Sequence, residues 1–194
     1  MATGSARAYG GRSMGIEFNG FAGDCRIHGR VASLGERLTD VLNAGERITI
    51  RDVHLEALTD GHVVDMPTLT LELADIHAVI GLGPRGFREQ RIRTEEHRIR
   101  LGLGPYVVLG DLHTAPSQDP IGDVLKRPSM VPLTNATIVY TFAGQPEAAD
   151  VGTIIVNRLV TEWIEPVVED DVASFPGVRV RQFKLKALDG LRSD

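Results

Sequence analysis

Apolar and polar residues alternate along most of this chain, which is the pattern of strands that bury one face. The clearest case is TLTLEL, where Leu69, Leu71 and Leu73 alternate with polar residues. The segments IEFNGFAG, from Ile16, and CRIHGRVA, from Cys25, show a similar alternation over shorter stretches. Because successive side chains of a strand point to opposite faces, this period of two predicts half-buried β-strands. Helical spacing is confined to short stretches, so we predict a mainly β protein.

One construction, a short helical turn followed by a long apolar strand, occurs twice in the chain. It covers residues 37–57 and again residues 120–140, with an offset of 83 given by the aspartates of the two turns (123 − 40 = 83). Apolar positions kept in register in this way indicate an internal repeat. The offset places Leu42 on Leu125 and predicts that both are buried helix residues. The other matched positions are Leu38 and Ile121, Val41 and Val124, Ile48 and Val131, Ile50 and Leu133, Leu55 and Ile138, and Gly61 and Gly144.

The repeat predicts two pseudo-equivalent small β-barrel or β-sandwich units, each with one short helix. Whether they form separate barrels or share one sandwich stays open at this point. We divide the chain into a mobile N-terminus at 1–13, a first β unit at 14–83, an arginine-rich connector at 84–96, a second β unit at 97–166, and a C-terminal tail or edge strand at 167–194.

The second unit carries a recognisable combination of residues. Gly110-x-Leu112 is followed by the turn I/L-x-D-x-L at 121–125 and by VPLTNA at 131–136. This combination resembles a widespread group of small bacterial β-rich domains of unknown function, and the similarity covers about residues 97–165. The first unit departs from it, with IRDV at 50–53 where the second has LTNA. The resemblance implies a bacterial origin and a compact β fold, and it implies no catalytic residue.

Composition narrows the classes of protein to which the chain can belong. It is 42% hydrophobic and 24% charged, as in ordinary globular domains, and its formal net charge of −5 disfavours non-specific binding to nucleic acid or to an anionic membrane. Cys25 is the single cysteine, which excludes an intramolecular disulfide and favours a reducing compartment. No apolar run approaches the roughly 18 residues of a membrane span, and the N-terminus has no signal-like apolar segment. We predict a soluble, cytoplasmic protein.

The motif Gly81-x-Gly83-x-x-Gly86 matches the glycine spacing of a dinucleotide-binding loop. In that fold a helix packed on a sheet follows the glycines, but the apolar residues after Gly86 do not keep helical spacing. From His97 the pattern alternates again and predicts a strand. We therefore interpret the glycines as turns beside the connector and predict no cofactor. The arginine-rich connector is likewise interpreted as a solvated segment rather than as a nucleic-acid site.

One group of acidic and imidazole side chains is dense enough to be a candidate polar site. It consists of Asp111, His113, Asp119 and Asp123 around the second predicted helix. The alternative is a helix-capping aspartate with solvated loop residues, and we favour it over a metal site because no ligand spacing typical of a metal is present. Cys25 lies in an alternating strand and is interpreted as a small apolar side chain.

The tail is the predicted partner-binding segment, because it alternates apolar and basic residues beyond both units. Its candidate contacts are Val178, Val180, Phe183 and Leu185. Such a peptide can add a strand to an exposed sheet edge of a second copy or of another protein. The alternative is an edge strand folded back on its own sheet, and the sequence does not separate the two.

Together these patterns predict a non-enzymatic protein-interaction or regulatory module that acts through a protein partner or a homo-oligomer. The alternative function is small-molecule or nucleotide binding at a site between the two units. A deep pocket lined by convergent polar groups would favour the alternative.

Overall fold

The computed structural model of the chain describes residues 15–83 and 93–167, together with the backbone of residues 179–182. The described part is mainly β, as the alternating pattern predicts. Two short helices, α1 and α2, and two 3-10 turns interrupt the strands. The strands are β1 Gly15–Ala22, β2 Cys25–Ala32, β3 Arg47–Ala57, β4 Val63–Glu72, β5 Ile76–Ile80, β6 Glu95–Leu103, β7 Tyr106–Thr114, β8 Met130–Phe142, β9 Gln145–Asn157, β10 Trp163–Pro166 and β11 Arg179–Gln182. The helices are α1 Leu38–Asn43 and α2 Pro120–Lys126, and the 3-10 turns are Leu73–Asp75 and Arg158–Val160.

Ten of these strands form one antiparallel path in the order β10-β6-β7-β8-β9-β5-β1-β2-β3-β4. The path does not close, so the described strands form a continuous open sheet and no closed barrel. Strand β11 pairs in parallel with β9 and lies off the path. Strand β9 therefore pairs with β8 along its whole length and with two strands on its other side, β11 near its start and β5 near its end.

The order of elements is the same in the two halves of the chain. In each half two strands, a helix, two strands, a 3-10 turn and a last strand follow one another. The order within the sheet is also the same, since the last strand of each half pairs with the first strand of that half. The two halves meet where β5, the last strand of the first half, pairs with β9 of the second. We call this β5–β9 pairing the seam.

Both halves contain the same bulge between their second and third strands. The register shifts next to Gly29 in β2, opposite Asp52, whose φ is 52°. It shifts again next to Gly110 in β7, opposite Asn135, whose φ is 47°. Aspartate and asparagine tolerate this left-handed backbone better than most residues other than glycine. The bulge bends the strands at matching places in the two halves.

Two hydrophobic cores lie on opposite faces of the seam. Alternate residues of β5 belong to different cores: Ala78 and Ile80 pack in one, and Val79 packs in the other. Ile155 of β9 packs with Val79, whereas its neighbours pack in the opposite core. Strands buried on both faces need continuous apolar runs, and AVI at 78–80 in β5 and IIV at 154–156 in β9 meet that requirement.

The two helices differ from the sequence prediction at one pair of residues. Leu42 is fully buried, but Leu125 is 61% exposed, and Val124 is the buried residue of α2. The prediction that Leu125 is buried is therefore wrong. The reason is that α2 has seven residues and α1 has six, so the offset is 82 at the helix starts (120 − 38) and becomes 83 only after the helices. At an offset of 82, Leu42 corresponds to Val124.

Within the part of the chain that the structure describes, no helix is long and apolar enough to cross a membrane.

Candidate functional site

The side chains of the candidate polar group around α2 contact other protein groups instead of one another. Asp119 is the N-cap residue of α2, and its carboxylate accepts hydrogen bonds from the backbone N–H groups of Ile121 and Gly122 at 3.3 and 2.9 Å. Asp123 accepts a hydrogen bond from Arg127 at 2.7 Å, one helical turn further on. Both carboxylates therefore stabilise the helix start and its first turns. For Asp119 this is the capping role that the sequence suggested as the alternative to a metal site.

Asp111 belongs to a different set of contacts, at the bulge of the second half. Its carboxylate accepts hydrogen bonds from Arg98 and from the side-chain amide of Asn135, both at 2.8 Å. Arg98 also donates to the backbone carbonyl of Asn135 at 2.7 Å. His113 contacts the hydroxyl of Thr134 at 2.7 Å, and its backbone carbonyl accepts a hydrogen bond from Arg127, which also donates to Asp123. Among the described residues, no three His, Cys, Asp or Glu side chains converge in a way that could hold a metal ion.

A cleft of about 600 Å³ opens beside this group. Its polar side chains are already engaged with protein partners: Arg98 pairs with Asp111, and His97 contacts the hydroxyl of Thr114 at 3.0 Å. Asp111 is the one member of the predicted polar group that lines the cleft. The cleft lies within the second half of the chain and not between the halves, where the sequence placed the alternative binding site. Its walls are formed by Glu96, His97, Arg98, Asp111, Pro120, Pro166 and Val167.

The structure describes the first two glycines of the glycine motif, Gly81 and Gly83. The backbone N–H of Gly81 donates to the carbonyl of Thr153 at 2.9 Å, and a side chain at Gly81 would collide with Thr153. Gly83 has a φ of +95°, which favours glycine. Gly86 and most of the connector, 84–92, lie outside the described residues. Strand β6 begins at Glu95, close to the start that the alternating pattern predicts.

The surroundings of Cys25 disfavour the thiolate form of its side chain. It begins β2, and burial together with the nearby Asp24 carboxylate raises the pKa of its thiol. A raised pKa lowers the thiolate fraction at neutral pH, so the thiol is less reactive than a free cysteine.

The tail is described over four residues. Val180 pairs with Ala148 of the chain's own β9, within the parallel β9–β11 ladder. This pairing is the intramolecular edge strand that the sequence left open as an alternative. The other candidate contacts, Val178, Phe183 and Leu185, lie outside the described residues. Because β11 and β5 occupy one side of β9 and β8 occupies the other, a partner has little of this strand left to pair with.

A buried ionic cluster joins the two halves, and no pattern in the sequence pointed to it. Arg26 of β2 donates to the Glu56 carboxylate of β3 and, at 2.8 Å, to the Tyr140 hydroxyl of β8. Tyr140 donates in turn to Glu147 of β9 at 3.3 Å. Arg26, Tyr140 and Glu147 are each less than a tenth exposed. We call these four residues the Arg26 cluster. The burial of Arg26 could not be inferred from the sequence, because most charged residues in alternating strands face solvent.

Burial shapes the acid–base behaviour of this cluster. Burial would lower the pKa of Arg26, but the hydrogen bond to Glu56 and the nearby tyrosine raise it overall, so the guanidinium stays charged. Burial also raises the pKa of Tyr140 and keeps its hydroxyl protonated as a donor. The side chain of Arg26 lies over the Phe142 ring, with its guanidinium carbon 4.9 Å from the ring centroid. The cluster is a structural contact between the halves and contains no unpaired acid or base.

The two ends of the strand path leave edges on which no described strand pairs. At one end is β4, which pairs only with β3 and carries Val63 and Val64 at 39% and 43% exposure. At the other end is β10, which pairs only with β6 and carries Trp163 at 41% exposure. Unpaired edges with apolar side chains are sites at which another strand can add. We call β4 and β10 the open edges.

No protein-family model matches the chain, and no curated protein or solved structure is detectably similar to it.

Proposed function

We propose that this chain is a non-enzymatic protein-interaction module that binds an extended partner segment at its open edges. The single observation that carries this proposal is that both ends of the strand path are unpaired in the described part of the chain and expose large apolar side chains. Backbone N–H and C=O groups of an edge strand supply affinity for an added strand, and neighbouring side chains supply selectivity. A regulatory role fits a module of this kind, and we place it in a reducing compartment such as the cytoplasm because Cys25 is its single cysteine.

We further propose that the module consists of two equivalent units, the products of an internal repeat. Several matching features support this view: the same element order, the same strand order within each half and the same bulge, with Asp52 and Asn135 separated by 83 positions (135 − 52). Gly61 and Gly144 are separated by the same interval and have φ values of 72° and 74°. In this view the first and second β units share one open sheet instead of forming separate barrels.

The pairing of the polar groups supports a binding role over an enzymatic one. The carboxylates of Asp111, Asp119 and Asp123 each accept a hydrogen bond from a nearby protein group, and the pKa of the Cys25 thiol is raised. A catalytic nucleophile or general base needs a group whose pKa and position suit attack or proton transfer. Strand edges and apolar side chains need neither for protein binding.

The proposal is tested with one edge variant and one matched control. The edge variant carries Val63→Lys and Val64→Lys, which place two charges on β4, and the control carries Leu34→Lys and Leu125→Lys. All four residues are exposed in the structure, so both variants are expected to keep the fold. Lysine on an edge strand opposes strand addition. In pull-downs from the native host followed by mass spectrometry, we expect the wild type and the control to recover the same partner and the edge variant to lose it. Equal recovery by all three would exclude β4 as the binding edge.

The alternative function, small-molecule binding, is favoured by the cleft beside Arg98 and Asp111. A ligand that binds the native state raises the unfolding temperature. Screening of nucleotides and of small anionic metabolites by thermal unfolding therefore tests it. A shift that is lost in Arg98→Gln would support this function, and no shift for any compound would leave the protein-interaction proposal in place.

A further inference from the structure

The seam is a pairing between two different strand edges, that of β9 and that of β5. Its three residue pairs are Ala78 with Val156, Val79 with Ile155, and Ile80 with Ile154. All six side chains are at most 6% exposed. The seam joins the fourth strand of the second half, β9, to the last strand of the first half, β5. It is an antiparallel contact between two different edges, one from each half.

The last strands of the two halves, β5 and β10, occupy the same position in the fold. Each follows a 3-10 turn, and the two turns begin 85 positions apart (158 − 73). At the same interval Ala78 corresponds to Trp163 (163 − 78), and the partners of these residues also correspond. Ala78 lies opposite Phe21 in β1, and Trp163 lies opposite Gly102 in β6. Each pair joins one large aromatic residue to one small residue, although the aromatic is on the opposite strand in the second half.

The fourth strands, β4 and β9, correspond at this interval as well, because each runs directly into its 3-10 turn. The seam residues Ile154, Ile155 and Val156 of β9 correspond to Leu69, Thr70 and Leu71 of β4. Strand β4 is thus the first-half counterpart of the strand that β5 pairs with, and β10 is the second-half counterpart of β5. The fold contains the two edges of a second seam, but in the described structure they do not pair with each other.

The open counterparts carry apolar side chains that lack the coverage found at the seam. Leu69 and Leu71 are partly buried and pack on the core of the first half. Ile164 is partly buried against the core of the second half, and Trp163 is 41% exposed. At the seam, Ala78 of the first half packs into the core of the second half. By the same geometry Trp163 would pack onto the first-half core of whatever molecule supplies β4.

We propose that β4 of one copy pairs in an antiparallel manner with β10 of a second copy, which repeats the seam between molecules. The expected register places Trp163 opposite Leu71, Ile164 opposite Thr70, and Glu165 opposite Leu69. The partner strand comes from a second copy because β4 and β10 lie at opposite ends of the chain's own strand path. This inference rests on the proposed function and names its partner. Two copies that exchange both edges form a closed two-fold dimer.

Disulfide formation between two separate chains tests the pairing and its register. In a Cys25→Ser background, one preparation carries Thr70→Cys and a second carries Ile164→Cys, so a mixed disulfide can form only between molecules. Directly opposed residues of paired strands have Cβ atoms about 4.5 to 5.5 Å apart, close enough for a disulfide after small adjustments. The control replaces Thr70→Cys by Thr68→Cys, which lies on the same exposed face two residues out of register.

After the two preparations are mixed and oxidised, we expect the Thr70→Cys and Ile164→Cys pair to form a disulfide-linked dimer, and the Thr68→Cys control to lose most of it. Light scattering of the wild type is expected to give twice the chain mass of 21.1 kDa. A wild type that is monomeric at every concentration, or equal cross-linking of both pairs, would overturn the inference. If the Val63→Lys and Val64→Lys variant still loses a host partner in that case, the proposed function stands and only the second copy is excluded.

Discussion

The seam and the open edges occupy corresponding positions in the two halves but differ in how far they are buried. At the seam Ile154 and Val79 are fully buried, and each strand has a core on both faces. At the corresponding positions Leu69 and Ile164 are only partly buried, and each strand has a core on one face. The residues match this difference, since the seam strands contain the apolar runs AVI and IIV, whereas β4 contains the alternating TLTLE. The burial of a strand in this fold is thus set by what the strand pairs with, and not by its position within its half.

The largest loss in the free energy of unfolding is expected from a substitution in the Arg26 cluster, which joins the two halves. Arg26→Gln removes the buried cation and leaves the Glu56 carboxylate without its ionic partner, so we expect a loss of about 3 to 5 kcal/mol in the free energy of unfolding. The matched control is Arg47→Gln, whose partner Glu72 lies on the exposed edge strand β4. Exposed ion pairs contribute little, and the control is expected to unfold like the wild type. Urea denaturation measures both, and similar losses would contradict the structural role of the cluster.

Alanine substitutions at corresponding residues compare how much the seam and an open edge contribute to the free energy of unfolding. Ile154→Ala removes a fully buried side chain and is expected to cost about 2 to 5 kcal/mol. Leu69→Ala removes a partly buried one from β4, and we expect a cost of roughly 1 kcal/mol. Guanidinium denaturation at low protein concentration gives both values. Equal losses would mean that β4 is as well covered as the seam.

Alanine substitutions at the two bulges test whether the two halves lose stability alike. A side chain at Gly29 would approach the Ile50 methyl group at 2.5 Å, and one at Gly110 would approach the Leu133 Cβ at 2.9 Å. We expect each change to alanine to destabilise by about 1 to 3 kcal/mol, as overpacking does. Gly152→Ala is the control, because nothing lies within 4 Å of its added carbon. Loss of stability in one half only, measured by thermal unfolding, would weaken the case for equivalent units.

The smallest expected effect is a pH dependence of the free energy of unfolding that arises from His28 in the first half. Burial lowers the pKa of His28 below its ordinary 6.5, and the charge of Arg26 acts in the same direction. The unfolded chain therefore binds more protons than the folded chain just below pH 6.5, so the free energy of unfolding should fall as the pH falls through this range. We expect a shallower fall in His28→Gln, measured by urea denaturation at a series of pH values. Part of the slope should remain, because burial also lowers the pKa of His77. An unchanged slope would exclude His28 as its source.

Sequence patterns predicted the strands well, because alternation is a direct consequence of burying one face. Sequence patterns at an offset of 83 place Asp52 on Asn135, and in the structure both residues lie at a bulge, but the same offset misplaced Leu125 because α2 contains one extra residue. They did not predict the seam, since which edges pair depends on contacts between residues that are distant in the chain. For the same reason the contact between Arg26 and Tyr140, 114 residues apart, has no local signal.

The capping role of Asp119 was accessible from sequence, because a cap acts on the residues that follow it directly. The open edges could not be predicted from the sequence. An alternating strand such as β4 has the same pattern whether its second edge is paired or free, so the pattern does not identify a binding edge. The alternating pattern of the tail predicted partner binding there, whereas Val180 pairs with the chain's own β9 and the described strands with one unpaired edge are β4 and β10.

Hydrogen exchange as a function of protein concentration tests most directly the claim that the open edges are binding edges and the seam is not. Amides of Val79 and Ile155, inside the seam, are predicted to exchange slowly and at the same rate at every concentration. The amides of β4 and β10 that face away from β3 and β6 are predicted to exchange quickly in dilute protein and to become protected as the concentration rises and edges pair. Protection of these amides that equals that of the seam at the lowest concentration, or rapid exchange that persists at the highest, would contradict this account.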